Sequence, residues 1–177
     1  MLTQLRPDAR REAPELGRGE AEGQAPRRKP IRLQPEVYAQ AGQPFLFTLC
    51  TSRRRPIFAG TRYASLVFRE LLNGPVLSDA ECIAACLMPD HLHLLLISKK
   101  RNLVHTINAW KSYSTNLLHA EGLRGPVWQR SFYDHALRTE ESVIEAAQYV
   151  VTNPVRKGLV EDWRSYPFAY LHPQYGR

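Results

Sequence analysis

Two histidines separated by a single residue, His91 and His93, have the clearest chemical potential in this chain. They stand in an apolar run that spans residues 87–97. Alternate side chains of a β-strand share a face, so both imidazoles are expected to point the same way, about 6–7 Å apart along the strand. Neutral imidazoles are common metal ligands, and the pair could hold one divalent ion if a third ligand comes from elsewhere. The alternative is a strand whose histidines only form hydrogen bonds.

Tyr149 and Asn153 form a second pair, four residues apart in the C-terminal part of the chain. Residues at this spacing share one face of a helix, so both side chains can point into one pocket. Tyr149 is a potential nucleophile, although taken alone it is also a common packing residue. A metal held by two histidines usually takes an oxygen ligand as well, and Asn153 has one to offer. We therefore predict that His91, His93 and Asn153 meet around one ion.

The charge of the chain favours an anionic partner, with nucleic acid first. The formal net charge is +7 and the pI is about 9.6. Residues 1–33 carry 8 basic and 5 acidic side chains, a net of +3, which leaves +4 for the remainder. Seven cations are candidates for contacts with DNA phosphates, with ordinary surface charge as the alternative for each: Arg53, Arg54, Arg55, Lys111, Arg130, Arg138 and Arg156.

Hydrophobic periodicity predicts an α+β fold with the element order β-α-β-β-α-β and one further helix. This is the split βαβ, or ferredoxin-like, pattern, with a four-stranded antiparallel sheet and two helices on one face. The other face is left for the extra C-terminal helix that carries Tyr149 and for ligands. Strands are predicted over about 45–51, 82–88, 91–97 and 127–138, and helices over 61–73, 102–120 and 139–153. The last helix is expected to stop at Asn153 because Pro154 follows it.

The composition divides the chain into two parts. Residues 1–33 have almost no large apolar side chains, so we predict a disordered basic N-terminal arm, followed by one domain over 34–177. No apolar run reaches transmembrane length and the N-terminus lacks a signal-peptide core, which predicts a cytoplasmic, nucleoid-associated protein. The 3 cysteines are expected to be free thiols.

Three segments in order give the chain a family resemblance: residues 88–95 (MPDHLHLL), 128–138 (WQRSFYDHALR) and 148–160 (QYVVTNPVRKGLV). Together they resemble the transposases that use one catalytic tyrosine and a two-histidine HUH motif. The similarity is to the IS200-like branch associated with repetitive extragenic palindromes (REP), and it covers roughly residues 40–170. The N-terminal arm lies outside it.

The resemblance implies that His91, His93 and Asn153 bind Mg²⁺ or Mn²⁺ and that Tyr149 is the nucleophile. It implies cleavage of single-stranded DNA next to a hairpin or repeated palindrome through a 5′-phosphotyrosine intermediate, by a monomer or a homodimer. Insertion-sequence relatives often have glutamine as the third ligand, whereas Asn153 matches the repeat-associated branch. The alternative is a domesticated, sequence-specific DNA-binding protein of the same fold without turnover. A metal-binding protein with no nucleic-acid role fits the basic charge less well.

Overall fold

The computed structural model describes residues 37–99 and 102–176. The predicted arm over residues 1–33 lies outside the described residues, and its disorder stays a prediction. The strands and helices of the described part, in chain order, are β1 (Pro44–Cys50), α1 (Thr61–Asn73), β2 (Ala80–Met88), β3 (His91–Ser98), α2 (Leu103–Ala120), β4 (Tyr133–Ala136), α3 (Glu140–Arg156) and β5 (Ala169–Leu171). Within this part, no helix is long and apolar enough to cross a bilayer.

The sheet has the strand order β4-β1-β3-β2-β5, and every neighbouring pair is antiparallel. Its first four strands have the predicted ferredoxin-like arrangement, which confirms the α+β fold class. The prediction of four strands is corrected to five, because β5 adds an edge next to residues 84–86 of β2. Three residues are too few to show the alternation by which a strand is recognised in sequence.

Strand β3 lies at the centre of the sheet and is buried on both faces. Leu92, Leu94 and Leu96 belong to the core that α1 and α2 cover, while Leu95 belongs to the core under α3. His91 and His93 alternate with the leucines of the first core, so they project toward the α3 side. The two histidines therefore lie on the face that was predicted to remain for ligands.

The hairpin between β2 and β3 places His91 at one end of the sheet. Met88 pairs with His91, which leaves Pro89 and Asp90, two residue types typical of turns, as the connection between the strands. Two backbone bonds tie this turn to neighbouring segments: Thr51 N donates to the Asp90 carbonyl at 2.9 Å and Phe58 N to the Pro89 carbonyl at 3.0 Å. The turn is thus a fixed support for the histidine pair.

Helix α3 continues through Pro154 to Arg156, so the prediction that it stops at Asn153 is wrong. Proline lacks a backbone N–H group, so in the last turn it removes only one helical hydrogen bond. The end is closed instead by Gly158, which has a positive φ of +67°. Gly158 N donates to Val155 O at 2.9 Å and Leu159 N to Pro154 O at 2.9 Å, the pattern of a Schellman motif.

The predicted fourth strand over 127–138 is shortened to β4, residues 133–136. The segment before it does not alternate across the sheet, because Val127, Trp128 and Phe132 all pack into the core under α1 and α2. Trp128 makes a single isolated bridge to Thr51, and its Nε1 donates to Ser114 Oγ at 2.9 Å. Aromatic burial therefore decides the path of this segment.

Candidate active site

His91 and His93 converge through their outer ring nitrogens. The two Nε2 atoms are 3.1 Å apart and the rings are nearly perpendicular, at 88°. The side chains are buried, with 8% and 5% of their residue surface exposed. The two imidazoles therefore share a face, as their spacing of two residues on one strand predicts. Their Nε2 atoms are closer together than the separation of about 6–7 Å expected along the strand.

Each Nδ1 atom has its own polar partner. His91 Nδ1 lies 2.6 Å from Asp90 Oδ1, and His93 Nδ1 lies 2.9 Å from Thr48 Oγ1. Burial alone would raise the pKa of Asp90, but its bonds to His91 and Arg54 outweigh that effect and lower the pKa. An ionised carboxylate only accepts hydrogen bonds, so His91 donates from Nδ1 to Asp90, and this bond orients the ring.

The histidine pair fits a divalent cation. Burial, reinforced by the charges of His91, Arg54 and Arg156, lowers the pKa of His93 to about 3, so this imidazole is neutral near pH 7. Metal-binding histidines usually have a partner on the other ring nitrogen, as both do here. At a metal–nitrogen distance of about 2.1 Å, one ion could contact two nitrogens up to about 4 Å apart. The two Nε2 atoms, 3.1 Å apart, lie within this limit.

A third protein ligand for the ion would be a side chain other than His, Cys, Asp or Glu. In the described ranges, no group of three His, Cys, Asp or Glu side chains could hold a metal. Asn153 is 4% exposed on α3, and its Nδ2 donates to the Tyr149 carbonyl at 2.8 Å. That bond orients the amide and leaves its oxygen, the atom a metal requires, free to accept. The role of Asn153 as a ligand stays a prediction.

Tyr149 packs against the histidine pair and remains accessible. Its ring lies 5.6 Å from the His93 ring, edge to face, while Arg156 Cζ lies 4.7 Å from the tyrosine ring centroid. The residue is 40% exposed. A side chain held between an imidazole and a guanidinium, and open on one side, can be reached by a substrate phosphate.

Two basic segments converge on the hairpin turn at the histidine end of the sheet. Ser52 N donates to Val127 O at 2.7 Å and Gln129 N to Cys50 O at 2.8 Å. These bonds bring the loop of residues 52–55 next to the segment of residues 126–130. Six of the seven cations predicted to bind phosphate lie in these segments, contact them or contact Tyr149: Arg53, Arg54, Arg55, Lys111, Arg130 and Arg156. Arg138 follows Leu137, whose N–H bonds Pro44 O at the other end of β1, so it is separate from them.

The arginine loop is held in an unusual conformation. Arg53 and Arg54 both have positive φ, 56° and 54°, a region that side-chain-bearing residues rarely adopt. Thr51 Oγ1 donates to Arg55 O at 2.8 Å and to Asp90 O at 2.9 Å. Arg54 Nη1 then lies 3.2 Å from Asp90 Oδ2. The loop therefore supports the carboxylate that orients His91.

Asp90 and Thr48 are partners of the histidines that the sequence does not predict. In the sequence, Asp90 indicates only a turn after Pro89, and Thr48 is one residue of the strand predicted over about 45–51. Thr48 is directly opposite His93 in the pairing of β1 with β3, a register that links residues 45 positions apart. The adjacency of Asp90 to His91 was the one signal available in the sequence.

Acid is expected to destabilise the metal-free protein in part through His93. The pKa of His93 is about 3 in the folded chain and about 6.5 when exposed, so between these values the unfolded chain binds a proton that the folded chain does not. Its contribution to stability is complete above pH 6.5 and is lost as the pH falls toward 3. Urea unfolding in EDTA across this range should show a weaker pH dependence for His93→Gln. An equal dependence in both proteins contradicts the assignment.

Comparison with known proteins shows the family to which this chain is similar. The family model described as "Transposase IS200 like" matches residues 44–153, which include both histidines, Tyr149 and Asn153. A protein of Haemophilus influenzae named for the REP-associated tyrosine transposases is 30% identical over 104 residues, which span 52% of this chain and 59% of that relative. The REP-associated tyrosine transposase of Escherichia coli is 25% identical over 143 residues, 79% of this chain and 83% of the relative.

A solved structure has the same fold. It is that of a REP-associated tyrosine transposase bound to a REP hairpin, and it matches with a TM-score of 0.59 at 24% identity. The match covers 75% of this chain and 78% of the other. The ferredoxin-like arrangement is thus found in a protein of the kind that the sequence resembles.

Proposed function

Because this chain belongs to the IS200-like transposase family, we propose that it cuts and rejoins single-stranded DNA through a covalent bond to Tyr149. The observation that carries the proposal is the contact between the Tyr149 ring and His93, whose Nε2 faces that of His91. A nucleophile beside two imidazoles that can hold a metal ion is the arrangement that a metal-assisted phosphoryl transfer needs.

The proposed step is an exchange of one phosphate ester for another. Tyr149 Oη attacks the phosphorus, the Oη–P bond forms, and the bond from phosphorus to the 3′ oxygen breaks. The phenol loses its proton to water, and the departing 3′ oxygen takes up a proton. The product is a 5′-phosphotyrosine and a free 3′-OH. A 3′-OH can later attack this ester and release Tyr149, so rejoining needs no ATP.

The residues of the site have separate tasks in this proposal. Asp90 and Thr48 orient the two imidazoles through their Nδ1 atoms. His91 and His93, with Asn153 as third ligand, would hold Mg²⁺ or Mn²⁺, which when bound supplies charge neutralisation at the scissile phosphate. Arg156, over the Tyr149 ring, is placed to attract the phosphate to the nucleophile.

The proposed substrate is an unpaired strand next to a hairpin formed by repeated palindromic DNA. The REP-associated tyrosine transposase of similar fold is bound to a REP hairpin in its solved structure. The basic side chains around the histidine end of the sheet suit a phosphate backbone. An unpaired strand also leaves its backbone accessible to Tyr149. The chain acts as a monomer or as a homodimer.

The test of this function compares matched single-stranded, hairpin-flanked and fully duplex oligonucleotides with Mn²⁺. We expect cleavage and a covalent adduct with unpaired DNA beside a hairpin, and neither with the duplex. Binding should weaken with salt, with a log–log slope of about 0.7 per neutralised phosphate. Equal cleavage of both forms contradicts the proposal. Binding without any adduct assigns the chain to the alternative, a domesticated DNA-binding protein without turnover.

A further inference from the structure

Strand β4 places an aromatic side chain on the same face of the sheet as the histidine site. Tyr133 pairs with Thr48, and Thr48 pairs on its other side with His93. Because directly opposed residues project to the same face, Tyr133, Thr48 and His93 form one row across the sheet. Two strand spacings separate Tyr133 from His93, about 10 Å.

Tyr133 projects into solvent from this row. It is 68% exposed, well above Tyr149 at 40%. His135, two residues further on the same face, is also exposed. The face is open because α3 packs on β2, β3 and β5. The intervening residues point to the opposite core, where Asp134 accepts a 2.6 Å bond from Tyr38 and Ala136 packs against buried side chains.

Positive charge borders this surface at both ends. Arg130 precedes β4 and Arg138 follows it, and both side chains are exposed. Lys111 Nζ donates to the Arg130 carbonyl at 2.8 Å, which adds a third cation at the end nearer the histidines. An exposed aromatic ring between cations is the arrangement by which proteins bind unpaired nucleic acid without reading its sequence.

We infer that the open face of β4, comprising Tyr133 and His135 with Arg130 and Arg138 at its ends, is a base-stacking platform for the single strand that leads to Tyr149. Tyr133 stacks on the base of a nucleotide close to the scissile phosphate, and the two arginines bind the flanking phosphates. This inference rests on the proposed function, because it takes the single strand as the ligand. It also gives a role to Arg138, which lies away from the cations at the histidine end.

The platform predicts that affinity for unpaired DNA depends on the ring of Tyr133. Fluorescence anisotropy with the full chain and a fluorescein-labelled oligothymidylate measures this, since stacking tolerates any base. Tyr133→Ala should weaken binding by about 5- to 150-fold, the range for loss of one stacked base. Tyr133→Phe keeps the ring and should bind within about twofold of the parent chain. Leu72→Ala is the matched control, because Leu72 is 37% exposed on α1, on the opposite side of the sheet.

Unchanged affinity in Tyr133→Ala overturns the inference, and so does failure of the parent chain to bind oligothymidylate. The inference is also overturned if Tyr133→Ala changes the mass measured by sedimentation but not the affinity for oligothymidylate, because the face then joins two copies of the chain. Photocrosslinking of the unsubstituted protein to 5-iodouracil DNA gives a readout that needs no variant, and crosslinks should map to β4. A parent chain that binds yet forms no adduct on hairpin DNA refutes the proposed function alone, while the effect of Tyr133→Ala still decides the platform.

Discussion

Replacing Tyr149 with phenylalanine is expected to abolish the covalent protein–DNA adduct while DNA binding stays within about twofold. Phenylalanine keeps the ring that packs against His93 and Arg156 and removes only the attacking oxygen. The measurement is a denaturing gel of labelled hairpin-flanked DNA incubated with Mn²⁺, alongside anisotropy for binding. Loss of the chemical step without loss of binding shows that the deleted oxygen acts in the reaction and not in binding.

Two other tyrosines are the controls for this result, since an undiminished adduct in Tyr149→Phe would move the assignment to Tyr113 or Tyr133. Tyr113 donates to Glu70 Oε2 at 2.9 Å, and this bond raises its pKa, which makes it a poor nucleophile. Tyr113→Phe should therefore form the adduct normally. Tyr133 lies on the histidine face but about two strand spacings from His93, so its phenol is not adjacent to the pair.

Replacing His93 with alanine is expected to reduce Mn²⁺ affinity by more than about 100-fold and to abolish the adduct. Loss of a supporting residue alone typically costs 10- to 100-fold in metal affinity, and His93 is predicted to be a ligand itself. Calorimetric titration of the purified chain with Mn²⁺ measures the affinity directly. His105→Ala, at an exposed position of α2, is the matched histidine control.

Because His93 is buried, its loss also has to be separated from a folding defect. His93→Gln keeps a polar side chain of similar size and serves as the second variant. Mn²⁺ should raise the melting temperature of the parent protein over that in EDTA, since a ligand that binds only the folded state stabilises it, and should do so much less in either variant. Equal Mn²⁺ stabilisation of parent and variants rules out the histidine pair as the metal site.

Most of the helices and strands follow from local signals in the sequence. Helix α1 occupies the predicted residues 61–73, and α2 begins after Asn102, whose side chain accepts from Val104 N. Thr139 caps α3 in the same way through Ser142 N. Caps, turns and the period of apolar residues act within a few positions, so the sequence alone specifies them. The shared face of His91 and His93 has the same origin.

The site depends on contacts between residues far apart in the chain. The register of β1 on β3 puts Thr48 on His93, and the packing of α3 puts Tyr149 on the same ring. The arginine loop reaches Asp90 only because the ends of β1 and the hairpin meet. The length of β4 and the path of residues 127–132 were set by aromatic burial rather than by alternation.

The sequence by itself therefore determined the family, the order of the elements and which residue types could carry the chemistry. Tertiary structure decided which of them meet: it brought the two imidazoles within 3.1 Å, gave each an orienting partner, and left Arg138 at the opposite end of β1. The physical reason is that strand register and helix packing minimise the free energy of the whole core. No short window of sequence contains that information.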